Sequence, residues 1–258
     1  MNKIFNVASG LLVAAFCTAA NAVPNLVKNG DFLESSGAVR QQIGAGIAGT
    51  DWHGTQFTGW STGGYNFGFT WQYIDHYGSP GAYGWLKLWG ANDGGIDAIT
   101  ANPSGGNIIG ADGAFQITPI SQIVSGLVVG QQYALQYDWA AGQQFGYDGA
   151  TSGNWTASLG SEQYTSATYN NVSHGFSGWM SELNVFTATD TTETLSFLAH
   201  GTPAGEPPFS LLSGVSLTAL SSSFTSAVPE TSTWLLMLTG FGLAGLGLRQ
   251  RRAVSATS

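Results

Sequence analysis

Few side chains in this sequence are spaced for acid–base, nucleophilic or metal chemistry. The histidines His53, His76, His174 and His200 stand far apart, and none falls in HExxH or another metal-ligand spacing. His53 near Asp51 and His76 beside Asp75 read as turn and surface residues, with a dispersed site as the alternative. No G-x-S-x-G elbow is present, so a serine hydrolase of that type has no support. Cys17 is the only cysteine and lies in an N-terminal apolar segment expected to be removed, which leaves no thiol nucleophile. The acids Glu162, Glu182, Glu193, Glu206, Asp138 and Asp148 are few enough to weigh as glycosidase pairs, which retaining enzymes hold about 5 Å apart. Glu182 in MSELNVF and Glu193 in TDTTETL read more simply as the solvent face of a strand and a turn. ANDGGID, with Asp93 and Asp97, offers oxygens to Ca²⁺ but lacks the twelve-position calcium-loop pattern, so a bare turn is preferred. No metal, cofactor or catalytic residue is expected.

What stands out instead is aromatic density in the front half: Trp52, Trp60, Trp71, Tyr73, Tyr77, Tyr83, Trp85 and Trp89. Sugar rings present apolar C–H faces that stack on exposed aromatic rings, while Asn, Gln and Asp meet the hydroxyls. Core packing is the competing use of such rings. The candidate ligand-binding residues are Trp52, Trp60, Trp71 and Tyr73. A tryptophan in a loop such as GTDWHGTQ is better placed than Trp85, which alternates within a strand.

The elements that would carry these rings are short strands between turn signals. Glycines every few residues in GAVRQQIGAGIAGTDWHGTQFTGW rule out a stable helix. YNFGFTWQYI (Tyr65–Ile74) and YGWLKLW (Tyr83–Trp89) are aromatic-rich, strand-sized runs. Tyr133, Leu135, Tyr137 and Trp139 fall at period two on one face; so do Leu183, Val185 and Thr187, and again Leu195, Phe197 and Ala199. About eight to ten strands without crossover helices predict one all-β sandwich over residues 23–218, followed by a short tether over 219–227.

Composition narrows the partners. Between Val23 and Ala227 the basic residues are Lys28, Arg40 and Lys87, against 14 acidic ones, a net charge of −11. Such a body repels polyanions, so nucleic acid is excluded as a partner. With 14 Phe, 9 Trp and 9 Tyr there is ample apolar surface for a core without disulfides.

Both ends read as addresses. MNK, the apolar run IFNVASGLLVAAFCTAA and Ala20-Asn21-Ala22 form a signal-peptide pattern over residues 1–22, with cleavage expected after Ala22. Near the other end, WLLMLTGFGLAGLGL (234–248) carries no charge and is followed by Arg249, Arg251 and Arg252. As a helix it spans about 22 Å against ~30 Å of hydrocarbon, a marginal transmembrane anchor. The arginines would stay cytoplasmic and leave the body outside that membrane.

NLVKNGDF, ITPISQIVSGLVVGQQYALQYDWAAGQ and FSGWMSELNVFTATDTTETLSFLAHGTPAGEPPFSLLSGVSL resemble secreted bacterial proteins with a galactose-binding-like jelly-roll body and a PEP-CTERM tail. The tail match over 228–253 is Val228-Pro229-Glu230-Thr231, the apolar run and the arginines, with Thr231 where a second proline is usual. The resemblance implies export, an inner-membrane intermediate and processing by an exosortase-type membrane protease near the motif. Relatives carry acids where this chain has Leu33 and Ser213, positions that often help hold a structural Ca²⁺, so the resemblance does not carry that ion over to this chain. These readings converge on a cell-envelope or extracellular-matrix protein. Non-catalytic binding of carbohydrate, with exopolysaccharide as partner, is the favoured function. A structural matrix protein and a polysaccharide-active enzyme are the alternatives.

Overall fold

The alternating residues in the second half of the chain form the long strands that their period requires. The computed structural model describes residues 23–44 and 54–220, together with Leu238, Thr239 and Phe241. Its strands are β1 (Asn66–Phe69), β2 (Ser79–Gly81), β3 (Gly84–Leu86), β4 (Ile108–Asp112), β5 (Ile120–Ser125), β6 (Gln132–Gln143), β7 (Thr151–Leu159), β8 (Glu162–Thr165), β9 (Tyr169–Asn171), β10 (Met180–Thr187), β11 (Thr192–Thr202) and β12 (Pro208–Ala219). One antiparallel sheet has the order β1-β4-β12-β6-β10; a second has β5-β11-β7-β8, with β9 also on β7; β2 and β3 form a separate hairpin. From β4 onward the chain passes from sheet to sheet at most connections, the connectivity of a jelly roll. The all-β sandwich expected from the pattern is the fold. Helix in the described body is limited to single 3-10 turns at Trp71–Tyr73 and Ala91–Asp93.

Between the sheets lie Tyr133, Leu135, Tyr137 and Trp139 from β6, meeting Leu195, Phe197 and Ala199 from β11 and Trp155 and Leu159 from β7. The sequence periodicity located this face correctly. On β10, Leu183, Val185 and Thr187 do share a face, but it is the outer one. Phe186 pairs with Tyr133, and residues directly opposite on neighbouring strands point to the same side, so Phe186 goes inward.

A second core covers the outer face of the first sheet. Ile74, Leu86 at the end of β3, Leu88 and Ile99 pack on Phe67 and Phe69 of β1, Ile108 of β4, Ala140 of β6, and Phe209 and Leu211 of β12. This layer is why β6 is buried on both faces over its last seven residues. Close approach is made possible by Gly110 on β4, where a Cβ would stand 2.7 Å from the Phe69 ring. The cover also shortens the expected strand at Tyr65–Ile74: only Asn66–Phe69 pairs in the sheet, and the chain then turns through Trp71–Tyr73.

The last strand ends at Ala219, one residue beyond the expected boundary. The expected signal segment 1–22 with Ala22, the loop residue Trp52, and Val228, Pro229, Glu230, Thr231, Arg249, Arg251 and Arg252 lie outside the described residues. Of the expected membrane helix 234–248, Leu238, Thr239 and Phe241 are described, and all three are helical. Among the described residues no helix is long and apolar enough to cross a membrane.

Candidate functional site

At one end of the first sheet four strand termini come level. Asn66 pairs with Ala111, Phe209 with Asp112, and Pro208 with Gln143. That register sets Tyr65, Asp112, Pro207 and Gln144 next to one another although they are scattered along the chain. The adjoining loops and the tip of the β2–β3 hairpin enclose a cavity of about 270 Å³. Four rings line it, Tyr65, Tyr83, Phe115 and Tyr147, with Asp112 and Gln144 as the polar side chains.

Each ring has a local reason for its place. Asp112 ends β4, and its Oδ1 accepts the N–H groups of Ala114 (2.8 Å) and Phe115 (3.2 Å). This side-chain turn is an intrinsic habit of aspartate, and it swings Phe115 back toward the sheet. Phe115 meets Tyr65 edge-on at 5.2 Å, and Tyr83 lies 6.2 Å from Tyr65 and 6.4 Å from Phe115. Tyr83 sits in the hairpin turn, followed by Gly84 at φ +105°, a conformation that favours glycine. Its hydroxyl accepts a hydrogen bond from Gln116 Nε2 at 3.3 Å. Tyr147 is held through its carbonyl, which accepts Trp89 Nε1–H at 2.9 Å. Trp89 in turn packs on Phe145 at 4.3 Å and stacks on the His174 ring at 3.9 Å, while His174 Nε2 contacts Asp148 at 2.6 Å.

The polar lining is unusual. Asp112 is 2% exposed, and its Oδ2 has no hydrogen-bond partner; neither has the buried Oε1 of Gln144. Burial pushes the Asp112 carboxyl up to about 6, against the lowering effect of its two backbone N–H bonds. The Tyr65 phenol rises to about 12, first from burial and then from the neighbouring Tyr147 and Asp112. No chain cation lines the cavity among the described residues. Lys87 pairs with Asp93 at 2.5 Å and lies over the Phe145 ring, and Arg40 lies over the Tyr73 ring at 4.6 Å. Buried acceptors without donors are rare in folded proteins, and two in one ring-lined cavity single it out as the candidate site.

Of the four rings expected from sequence to bind ligand, the three that are described, Trp60, Trp71 and Tyr73, do not line this cavity; Tyr83, from the same aromatic-rich stretch, does. Trp60 is a correction: it is 6% exposed, packs on Phe32 and Phe197 in the main core, and donates Nε1–H to the Asn29 carbonyl at 3.0 Å. A ring so enclosed has no face to offer a sugar. Asn29, in the NLVKNGDF stretch, forms the expected turn at φ +50°, closed by the Phe32 N–H on its carbonyl at 3.1 Å. Trp71 and Tyr73 are exposed on their 3-10 turn, at 37% and 42%, with Tyr73 covered on one side by Arg40.

The remaining candidates are occupied by the fold. Asp93 pairs with Lys87, and Asp97 Oδ2 accepts the Phe176 N–H at 3.2 Å. Glu193 serves a turn, as expected, and is buried in it: its Oε1 accepts Thr189 N–H (2.7 Å) and Asp190 N–H (3.0 Å). Glu182, expected on the solvent face of its strand, instead stands opposite Tyr137 and accepts Trp139 Nε1–H at 3.3 Å. Ser213, where relatives carry an acid, is fully buried; its hydroxyl accepts from Asn102 Nδ2 at 2.5 Å and donates to the Asn107 carbonyl at 3.1 Å. Sequence reasoning missed Tyr65, Asp112, Phe115, Gln144 and Tyr147. The available signal was positional: each sits at or just beyond the end of a strand-sized run, where loops carry function.

No protein-family model matches this chain, and no curated protein matches it. Solved structures with a similar fold include the carbohydrate-binding module TmCBM61 in complex with β-1,4-galactotriose, at 15% identity and a TM-score of 0.39, covering 76% of this chain and 99% of that one. The xylan-binding module CBM22-1 from Paenibacillus barcinonensis is 11% identical at a TM-score of 0.34, covering 78% and 97%. The enzymatically active domain of a tailspike protein from bacteriophage CBA120 is also 11% identical at 0.34, covering 76% of this chain and 21% of that one. Likenesses this distant do not say what this chain binds; that rests on its own residues.

Proposed function

We propose that the protein is a non-catalytic carbohydrate-binding protein and that its site is the cavity at the strand ends of the first sheet. The observation that carries the reading is the pairing of four aromatic rings with two buried acceptors, Asp112 Oδ2 and Gln144 Oε1, that lack donors. A pyranose supplies what each lacks, with C–H faces for the rings and hydroxyl donors for the oxygens. The volume, about 270 Å³, suits one or two sugar units of a longer chain. Glycoside hydrolysis calls for two carboxyls across the scissile bond. Asp112 is the one carboxylate lining the cavity among the described residues, which favours binding over cleavage. Trp71 and Tyr73 extend the reading as an outer contact surface for the same polymer.

Location completes the proposal. The signal pattern ending at Ala22 exports the chain, and residues 228–253 hold it in the inner membrane until an exosortase-type protease acts near Val228-Pro229-Glu230-Thr231. The body is then released to the envelope or the extracellular matrix, where exopolysaccharide is its partner. The test is retention of the purified full chain, in mild detergent, on immobilised envelope and matrix polysaccharides. Specific retention that soluble oligosaccharide competes away is expected; a protein that binds no glycan sinks the reading.

A further inference from the structure

Resting on the carbohydrate reading above, we infer that the sugar recognised in this cavity carries a free, protonated amine, as in a de-N-acetylated hexosamine, and that Asp112 is the residue that selects it. The inference comes from the two acceptors left without donors; the phenol hydroxyls of Tyr65, Tyr83 and Tyr147, which can donate or accept, suit either kind of ligand group. The orphan atoms at the site are both acceptors, a carboxylate oxygen and an amide oxygen, and the rings add negative π-faces. A ligand group rich in donors and free of acceptors complements them best. An ammonium has three donors and no acceptor, a hydroxyl has one donor and two lone pairs, and an acetamido group brings one donor and a carbonyl oxygen that would face the carboxylate.

Charge points the same way. A carboxylate 2% exposed is expensive to keep ionised without a counter-ion, and none of Lys28, Arg40 and Lys87 lines the cavity. An ammonium seated against Asp112 would provide the missing countercharge while resting on the faces of Tyr65, Tyr83, Phe115 or Tyr147. A quaternary ammonium would satisfy the rings but has no N–H for Asp112 Oδ2 or Gln144 Oε1, so a choline-like group fits less well. Uronic or sulfated sugars would set like charge against Asp112 in a body of net charge −11.

The raised carboxyl supports this geometry. Asp112 is near half-ionised at about pH 6 in the free protein, so an approaching ammonium draws it fully into the charged form. The other titratable groups facing the cavity are the phenols of Tyr65, Tyr83 and Tyr147.

The experiment is calorimetric titration of the full chain at pH 7 with glucosamine oligomers and with their N-acetylated counterparts of equal length. Glucosamine oligomers are expected to bind at least tenfold more tightly, and Asp112→Asn should erase that preference. Tyr83→Ala, an exposed-ring change that leaves the core intact, should weaken both oligomers while keeping the preference. Equal or tighter binding of the N-acetylated oligomers overturns the amine selection but leaves the carbohydrate reading standing. Binding of neither, with no other glycan retained, removes the carbohydrate reading itself. A lysine tripeptide or 1,5-diaminopentane binding as tightly as the glucosamine oligomer would show a general amine site and overturn the sugar part of the inference.

Discussion

Asp112 is the residue on which most of the site's chemistry turns. Its carboxyl is raised from 3.8 to about 6 by burial. The folded state therefore holds a proton that the unfolded chain has already released, and the associated stability is present at low pH and lost as pH rises through about 4 to 6. A two-unit shift corresponds to about 3 kcal/mol. Asp112→Asn lacks this dependence. Urea denaturation of wild type and variant at pH 4 and pH 7 should show the wild type losing up to about 3 kcal/mol relative to the variant across that interval. A constant difference between the two proteins would mean that Asp112 is not desolvated. Trp60 gives the contrasting case. As a core ring, its replacement in Trp60→Ala should cost about 3–5 kcal/mol by the same denaturation measurement. Trp71→Ala, at an exposed ring, should stay within about 0.5 kcal/mol of wild type.

At the scale of elements, the cover over the first sheet and the strand-end register together shape the cavity. Gly110→Val would drive methyl groups into Phe69 and Leu211, pushing the cover off β4. We expect loss of about 1–3 kcal/mol and a weakened site, read by thermal unfolding and by glycan titration together. Unaltered stability would show that the second core is not tightly packed. The elements were legible in the sequence to unequal degrees. The inward face of β6 and that of β11 follow from period two alone, since Tyr133 to Trp139 and Leu195 to Ala199 have one core to face. β10 did not follow, because Leu183, Val185 and Phe186 are all apolar and only the pairing of Phe186 with Tyr133 decides which side is buried. YNFGFTWQYI misled for a related reason. Its aromatics serve the sheet, the cover and the surface in turn, so no single period describes them. The site was the least legible, because Tyr65, Asp112, Gln144 and Tyr147 become neighbours only once β1, β4, β12 and β6 are in register.

On the scale of the whole molecule, charge and composition argue against one class of partner. A net charge of −11 between Val23 and Ala227 predicts no retention of duplex or single-stranded nucleic acid at 150 mM salt, checked by gel shift. The terminal segments make a separate claim about address. Mass spectrometry of protein recovered from its native host should find the chain starting at Val23 and ending near Val228; a product that retains Arg249, Arg251 and Arg252 would leave a plain anchor in place of processing. The central claim is that the aromatic cavity at the strand ends is where the protein holds carbohydrate. It is tested most directly by titrating the glycan that the wild-type chain retains into Tyr83→Ala, whose ring is 57% exposed and carries no core packing. At least a tenfold rise in Kd with an unchanged Tm is expected. Undiminished affinity in that variant would place the glycan elsewhere on the molecule and contradict it.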